Sequence, residues 1–366
     1  MEFGIVGLPQ CGKTTVFNAL SRGRADATHS PALASKPNLG VAKVPDSRLK
    51  PLAEMFNPQR IVNAEVRYID FPRGAEDIAR SRGISGERLN VLESADALLH
   101  VVRAFQDPSV PHVEGGVDPR RDLIAMDLEM AFADLAILER RVERLENELK
   151  GARASEREAR AQERSLLDRI RAGLEGETPI REQQLSPDEA KLLENFQFLT
   201  AKPLLIVWNI GEEDAQRASG LDDELRGMYA RPGVDVIVLC GKLEMDLAAM
   251  KEEEEEEFRT AMGFGESGLN RSIRSSYEIL DLISFFTVGP KEVRAWTLPR
   301  NTQAVKAAGK IHSDMERGFI RAEVISFDDL SECGNIAESR KRGLLRLEGK
   351  TYPVQDGDVV TFLFNV

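Results

Sequence analysis

The sequence predicts an α/β nucleotide-binding fold that carries an inserted α-helical segment and is followed by a smaller α+β domain. Three observations predict it. Residues 1–20 read MEFGIVGLPQCGKTTVFNAL: an apolar run, then GLPQCGKT, which fits G-x-x-x-x-G-K-[ST] without a gap, then helical spacing at Thr15, Phe17 and Leu20. Apolar runs of strand length return at 64–70, 95–102, 203–209 and 234–239, the last three with the composition of buried parallel strands. The character of the chain changes over 118–202 and again after about residue 275. The expected division is 1–117 and 203–278 for the nucleotide domain, 118–202 for the helical insertion and 279–366 for the last domain.

The first stretch carries the chemistry. Glycines let a backbone wrap a phosphate so that several N–H groups point inward, and the helix that follows adds positive potential. Pro9, Gln10, Cys11, Gly12, Lys13, Thr14 and Thr15 are therefore the expected nucleotide contacts. Lys13 can reach the β- and γ-phosphates, and the Thr14 hydroxyl can ligate Mg²⁺. A chance glycine-rich βα turn is the competing reading; motif, position and flanks together speak against it.

Composition bounds the partners. A chain of 366 residues can bury a large core in two or three domains. Its net charge of −12 leaves no global positive field for bare nucleic acid, so DNA is not an expected partner and any RNA contact must be local. Cys11, Cys240 and Cys333 lie far apart without metal spacing, which points to a reducing compartment. The first strand begins at residue 3, and no apolar run reaches the roughly 18 residues of a membrane span. A cytoplasmic monomer with no membrane partner is expected.

In order along the chain, 21–35 is a polar loop, placed where switch I lies in a GTPase-like fold. Residues 36–49 read as a strand and then a helix with Asp46 as its N-cap. The run 64–70 alternates and ends in Asp70, which downstream of a P-loop suggests a carboxylate backing the Mg²⁺ site; a strand-end turn Asp is the alternative. His100, inside the next strand, reads as a core histidine. The loop 103–118 leaves the C-terminal edge of the sheet, where open α/β sheets bind ligands. His112 therefore stands on the correct side to act on a γ-phosphate or its water, against the alternative of an ordinary loop histidine.

Leu128, Ala131, Leu135, Leu138, Val142, Leu145 and Leu149 recur at spacings of three and four, a heptad stripe interrupted at 151–155. A second charged helix, 155–174, can fold back with Leu166, Ile170 and Leu174 facing the first. The sequence SPDE at 186–189 is a capping box with proline at its first helical position, opening a helix with Leu192, Phe196 and Leu199 on one face. The sheet resumes at 203–209 and ends in Asn209-Ile210-Gly211-Glu212; the strand 234–239 ends in Cys240-Gly241-Lys242. Two strand ends after a P-loop are where base-reading groups sit, so Asn209, Ile210, Glu212, Cys240, Gly241 and Lys242 are candidates. Six glutamates at 252–257 read as an exposed helix face. Short β-rich runs at 283–288, 292–298, 320–327 and 359–366, with a helix at 303–312, form the last domain.

Long strings of the chain resemble the YchF subfamily of the Obg-like ATPases, which are related to the P-loop GTPases: GIVGLPQCGKTT, PNLGVAKVPDSRL, HVVRAF, HVEGGVDPRRD, AKPLLIVWNIGE, FFTVGPKEVRAWTL, KIHSDMERGFIRAEVIS and QDGDVVTFLFNV. The resemblance implies a P-loop GTPase-like domain, a coiled-coil insertion and a C-terminal TGS domain, a ubiquitin-like β-grasp module. It also implies contact with the ribosome or ribosomal RNA and a part in translation or stress responses. Guanine readers use Asn-Lys-x-Asp; here the Lys is absent and Glu212 replaces the Asp, which moves the bidentate acceptor. In the family this pattern goes with ATP, so ATP is the expected nucleotide, with GTP possible.

Three positions depart from the family pattern. Ala34 stands where a switch threonine is usual, with Ser35 one residue late as the replacement Mg²⁺ ligand. The Asp-x-x-Gly pattern reads Asp70-Phe71-Pro72-Arg73, with Gly74 one late, and Pro72 restricts that turn. No glutamine follows to orient water, although the family lacks it too. Arg73 is either an internal arginine finger or a surface or ribosome contact. Two functions stay open: a slow Mg²⁺-dependent ATPase, and a nucleotide-binding switch module with little hydrolysis. A small-molecule kinase is weaker, because no acceptor site is evident. In the last domain Lys291, Arg294, Arg300, Lys306, Arg317 and Arg321 form either an RNA-facing patch or a scattered solvated surface.

Overall fold

A computed structural model describes residues 1–22, 37–71, 84, 86–151 and 153–365. Its strands are β1 (Glu2–Val6), β2 (Asn38–Lys43), β3 (Arg60–Val62), β4 (Glu65–Asp70), β5 (Ala97–Ala104), β6 (Leu204–Ile210), β7 (Val234–Leu239), β8 (Leu282–Thr287), β9 (Glu292–Pro299), β10 (Phe319–Ser326), β11 (Arg346–Glu348) and β12 (Asp358–Phe364). Its helices are α1 (Lys13–Leu20), α2 (Leu49–Phe56), α3 (Gly86–Ser94), α4 (Pro119–Gly151), α5 (Ala154–Glu175), α6 (Pro187–Leu193), α7 (Ala218–Tyr229), α8 (Gly241–Ala248), α9 (Glu252–Met262), α10 (Gly268–Ile279), α11 (Ala304–Ile311), α12 (Ser313–Arg317), α13 (Phe327–Cys333) and α14 (Ile336–Lys341). The chain forms two units, one of residues 1–42 and 67–275, the other of 43–66 and 276–366.

The first unit is an α/β layer structure. Its sheet runs β2-β4-β1-β5-β6-β7, and β1 pairs in parallel with β4 on one side and β5 on the other. β6 and β7 continue in parallel beyond β5. β5, β6 and β7 are buried almost throughout, as their Val, Leu and Ile runs require when helices cover both faces. The strand order turns at β1, so the loop after β1 opens into the crevice where such sheets take ligands.

The helical pair belongs to the same unit. Leu138, Val142 and Leu145 of α4 pack with Leu166, Leu167, Ile170 and Leu174 of α5, a core closed by Leu193 and Phe198. Arg141 to Glu163 at 2.8 Å and Arg164 to Glu146 at 2.6 Å cross between the two helices. Ser186 caps α6 with Pro187 at the first helical positions and Glu189 returning the capping-box bond. The expected face of that helix is corrected. α6 ends at Leu193, Leu192 is exposed, and Gln197 in the left-handed region breaks the spacing that would have aligned Leu192 with Phe196 and Leu199. The glutamate run also departs from a fully exposed face: Glu255 is buried, bonded by Arg259 at 3.0 Å and approached by Arg22 at 3.7 Å.

The second unit has a mixed sheet in the order β11-β10-β12-β8-β9-β3. The antiparallel hairpin β8–β9 is followed by α11, whose Ala304, Ala307 and Ala308 admit the helix closely against Ile283, Phe285, Leu298, Val324 and Phe362. β12 then lies parallel to β8 and antiparallel to β10. The edge strand comes from far upstream: β3 pairs in parallel with β9, Arg60 opposite Glu292, Ile61 opposite Val293 and Val62 opposite Arg294. The expected first part, 1–117, therefore gives residues 43–66 to the other unit. Arg48 holds this segment there, pairing with Asp356 at 2.7 Å and lying 4.9 Å from the centroid of the Phe286 ring. Asp46 does not cap α2 directly. Its Oδ1 accepts the Arg48 N–H at 3.0 Å in a turn, and the helix begins at Leu49.

Candidate functional site

The loop between β1 and α1 is built by residues that tolerate unusual backbone. Gly7 and Gly12 have φ of 147° and 96°, and Gln10 between them has φ of 60°. A β-carbon on Gly7 would stand 2.5 Å from the Val101 carbonyl oxygen, so only glycine fits there. Gly12 is the left-handed N-cap of α1, which delivers the N-terminal amides of that helix to the loop mouth. Successive amides in alternating handedness form an anion-binding concavity. Lys13 lies across it, its Nζ donating to the carbonyls of Gly7 at 2.9 Å and Leu8 at 2.8 Å. Cys11 is buried in the loop wall, and burial pushes its thiol up, away from the reactive thiolate.

Thr14 and Asp70 come together from β1–α1 and the end of β4. The Thr14 hydroxyl donates to Asp70 Oδ2 at 2.9 Å, and Asp70 is fully buried. Burial pushes the Asp70 carboxyl up, opposed by the Thr14 bond and by the charges of Lys13 and Arg88. Its Oδ1 has no hydrogen-bond partner among the described residues. A buried carboxylate with one open oxygen beside a helix-start hydroxyl fits a hydrated Mg²⁺, which is hard and prefers oxygen and water.

Asn209 ties the strand ends to the loop. Its Nδ2 donates to the Cys11 carbonyl at 3.0 Å and its Oδ1 accepts the Gly241 N–H at 2.9 Å. Asn209 is thus a bracket between the phosphate loop and the start of α8, with Ile210 buried behind it and Cys240 buried at the end of β7. Glu212 and Lys242 face each other at the surface, paired at 2.7 Å.

His112 is brought to a different set of partners, Asp122 and Arg121 of α4, at 2.7 Å and 3.4 Å. Neither α4 residue was among the expected site residues, because a contact across ten positions through a loop leaves no periodic signal. Phe105 was also missed; its ring lies 3.8 Å from where a Gly12 β-carbon would be. Buried Arg103 sits 4.5 Å from the Phe105 ring centroid and donates to the carbonyls of Phe105 and Val110 at 3.2 and 2.8 Å. Ala34, Ser35, Pro72, Arg73 and Gly74 lie outside the described residues. No helix among the described residues is long and apolar enough to cross a membrane.

A family model described as a 50S ribosome-binding GTPase matches residues 2–130, and the YchF-GTPase C-terminal model, described as a protein of unknown function, matches 282–365. The chain is 39% identical over 365 residues to the ribosome-binding ATPase YchF of Bacillus subtilis, covering 99% of each. It is 39% identical over 363 residues to the protein of the same name from Escherichia coli O157:H7, again over 99% of each. The Schizosaccharomyces pombe YchF GTPase structure superposes with a TM-score of 0.86 at 30% identity, covering 99% of this chain and 97% of that one. With 39% identity along 99% of the bacterial proteins and a fold that matches the solved relative over 99% of this chain, the chain belongs to the YchF family.

Proposed function

We propose that this chain is a Mg²⁺-dependent P-loop ATPase that hydrolyses ATP slowly to ADP and phosphate and works in association with the ribosome. The observation that carries the reading is the joint geometry of Lys13 over the loop carbonyls and Thr14 against Asp70. Lys13 exchanges the carbonyls of Gly7 and Leu8 for β- and γ-phosphate oxygens, and the amides from Gly12 to Thr15 stabilise the charge that shifts to the leaving oxygen. Bound Mg²⁺ would neutralise the phosphates from Thr14, with Asp70 holding its water and Ser35 as a further ligand. His112 takes the proton of the attacking water, and Arg73, outside the described residues, is a candidate arginine finger or else a surface or ribosome contact.

The relatives are named ribosome-binding ATPases, and this supports both the activity and the partner. The pairing of Glu212 with Lys242 supports ATP over GTP, since a glutamate already engaged is a poor bidentate acceptor for two guanine N–H groups. The helical pair is read as a coiled-coil arm and the second unit as a TGS domain, both serving as docking modules of a cytoplasmic monomer. A second reading, nucleotide occupancy as the signal with little turnover, is favoured by Ala34 and Arg73, which depart from a working switch.

Single-turnover release of γ-phosphate from Mg²⁺-ATP, with Lys13→Ala as the blank, tests the activity. Release above the blank is expected. ATP bound without release, both alone and with ribosomes added, would overturn hydrolysis in favour of the occupancy signal.

A further inference from the structure

The loop 103–118 and the first turns of α4 close a buried ring of hydrogen bonds around the His112 imidazole. Nε2 lies 2.7 Å from Asp122 Oδ2, and both side chains are only 3% exposed. Nδ1 accepts the backbone N–H of Glu114 at 3.1 Å. The other oxygen of Asp122 accepts from Arg121 Nε at 3.1 Å and Nη2 at 2.8 Å. Arg121 Nη2 also reaches the Gly116 carbonyl at 2.8 Å and stands 3.4 Å from His112 Nδ1.

These bonds fix a tautomer. A backbone amide only donates, so Nδ1 must be the acceptor; a carboxylate only accepts, so Nε2 must carry the proton. An imidazole held this way offers Nδ1 as its basic atom with a carboxylate behind the other nitrogen. Asp122 is not needed to start the helix. Asp118 does that, its Oδ1 accepting the Arg121 N–H at 3.1 Å and its carbonyl accepting the Asp122 N–H at 3.0 Å, with Pro119 as the first helical residue.

We propose that Asp122 is the positioning residue of the hydrolytic reaction, fixing His112 with its proton on Nε2 so that Nδ1 receives the proton of the attacking water. The inference rests on the reading of His112 given above and adds the group that sets its state. In the step, Nδ1 exchanges the Glu114 amide for water. The water oxygen bonds to the γ-phosphorus, the bond from that phosphorus to the β-bridging oxygen breaks with its electron pair leaving on ADP, and the proton passes to Nδ1. Asp122 then faces the imidazolium it has oriented.

The test is the Asp122→Asn variant of the full chain, read two ways. Arg121 needs an acceptor, so the carboxamide oxygen turns to it and the NH₂ turns to Nε2, forcing the proton to Nδ1 and breaking the bond that Nδ1 accepts from the Glu114 amide. Nitrogen-15 spectra of the ring nitrogens report this directly; the chain has four histidines, and His112→Ala identifies the signal. Wild type should show a protonated Nε2 and an unprotonated Nδ1, and Asp122→Asn the swap. With it, kcat for ATP should fall by about tenfold or more with KM within about twofold, while Asp122→Glu keeps the tautomer and much of the rate. Wild-type spectra in Asp122→Asn would overturn the proposal, as would a swapped tautomer with unchanged kcat in a protein where His112→Ala is inactive. If His112→Ala hydrolyses ATP at the wild-type rate, the catalytic reading of His112 fails. The positioning role then has no reaction to serve and falls with it, whereas wild-type spectra in Asp122→Asn with an inactive His112→Ala overturn the positioning role alone.

Discussion

Gly12 lies so close beneath the carboxamide of Asn209 that a β-carbon on it would stand 2.3 Å from Nδ2. The same Nδ2 carries the bond to the Cys11 carbonyl, so the residue closing the phosphate loop and the residue anchoring it share one space. Asn209→Ala should remove both of its bonds and leave the Gly241 amide without its partner. At about 1–3 kcal/mol for a buried donor left unsatisfied, nucleotide affinity should fall by about fivefold or more. Gly12→Ala should lose binding more completely, since its φ of 96° is strained for alanine as well. Titration with a fluorescent ATP analogue reads both; wild-type affinity in either would refute the bracket.

Asp70 should govern the cation more than the nucleotide. With Thr14 bound to Oδ2 and Oδ1 open, Asp70→Asn should raise the Mg²⁺ concentration for half-maximal turnover by about tenfold to a hundredfold. Affinity for ATP in the presence of a chelator should change little. An equal loss with and without Mg²⁺ would place the role of Asp70 in the loop itself.

The surface pair of Glu212 and Lys242 should matter to nucleotide choice and not to stability. Both side chains are more than half exposed, where solvent screens the pair, so it adds little to folding and Lys242→Ala should melt with the wild type. Freed from Lys242, Glu212 can accept from guanine, and GTP should gain about twofold to tenfold on ATP in competition, the factor that one net hydrogen bond of about 0.5–1.5 kcal/mol supplies. An unchanged ratio would remove Glu212 from base selection.

His100 should set part of the acid stability. It is buried in β5, with Nδ1 unpartnered among the described residues, and burial pushes it down to about 3. The native state holds it neutral while the unfolded chain protonates it near the ordinary value of about 6.5. Its contribution is therefore complete above that value and is lost as pH falls towards 3, at up to about 1.4 kcal/mol per pH unit. His100→Gln should flatten the urea-unfolding free energy between pH 6 and 4 relative to wild type, by about that slope at most; an unaltered slope would show that the loss arises elsewhere.

Local geometry was legible in the sequence and distant geometry was not. The phosphate loop needs glycine at two fixed places, a lysine and a hydroxyl, so eight residues announce it. Ser186 and Glu189 satisfy each other within one helical turn, and Leu138, Val142 and Leu145 repeat at the spacing of one helix face. Asn209 was found at a strand end, but its bond to Cys11 across 198 positions depends on the sheet order. Leu192 and Leu193 point about 100° apart on one helix, and only the packing of α6 against the helical pair makes Leu193 the buried one. Glu255 looks like its neighbours until Arg22 and Arg259 close on it. Asp122 reads as an ordinary first-turn acid; only the path of the preceding loop turns it towards His112.

The three residues of β3 have a consequence for synthesis. They leave the ribosome about 230 residues before β9, the strand they pair with, since β3 ends at Val62 and β9 begins at Glu292. At the usual 5–20 residues per second that is a wait on the order of ten to fifty seconds. During that time the edge of one unit emerges between two strands of the other and has no sheet to join. A fragment released at residue 275 keeps that segment unpaired, and a fragment begun at residue 276 exposes the unfilled edge of β9. Dissecting this protein into halves at the apparent boundary therefore damages both, and a separable version of the second unit would require residues 43–66 to be grafted beside β9.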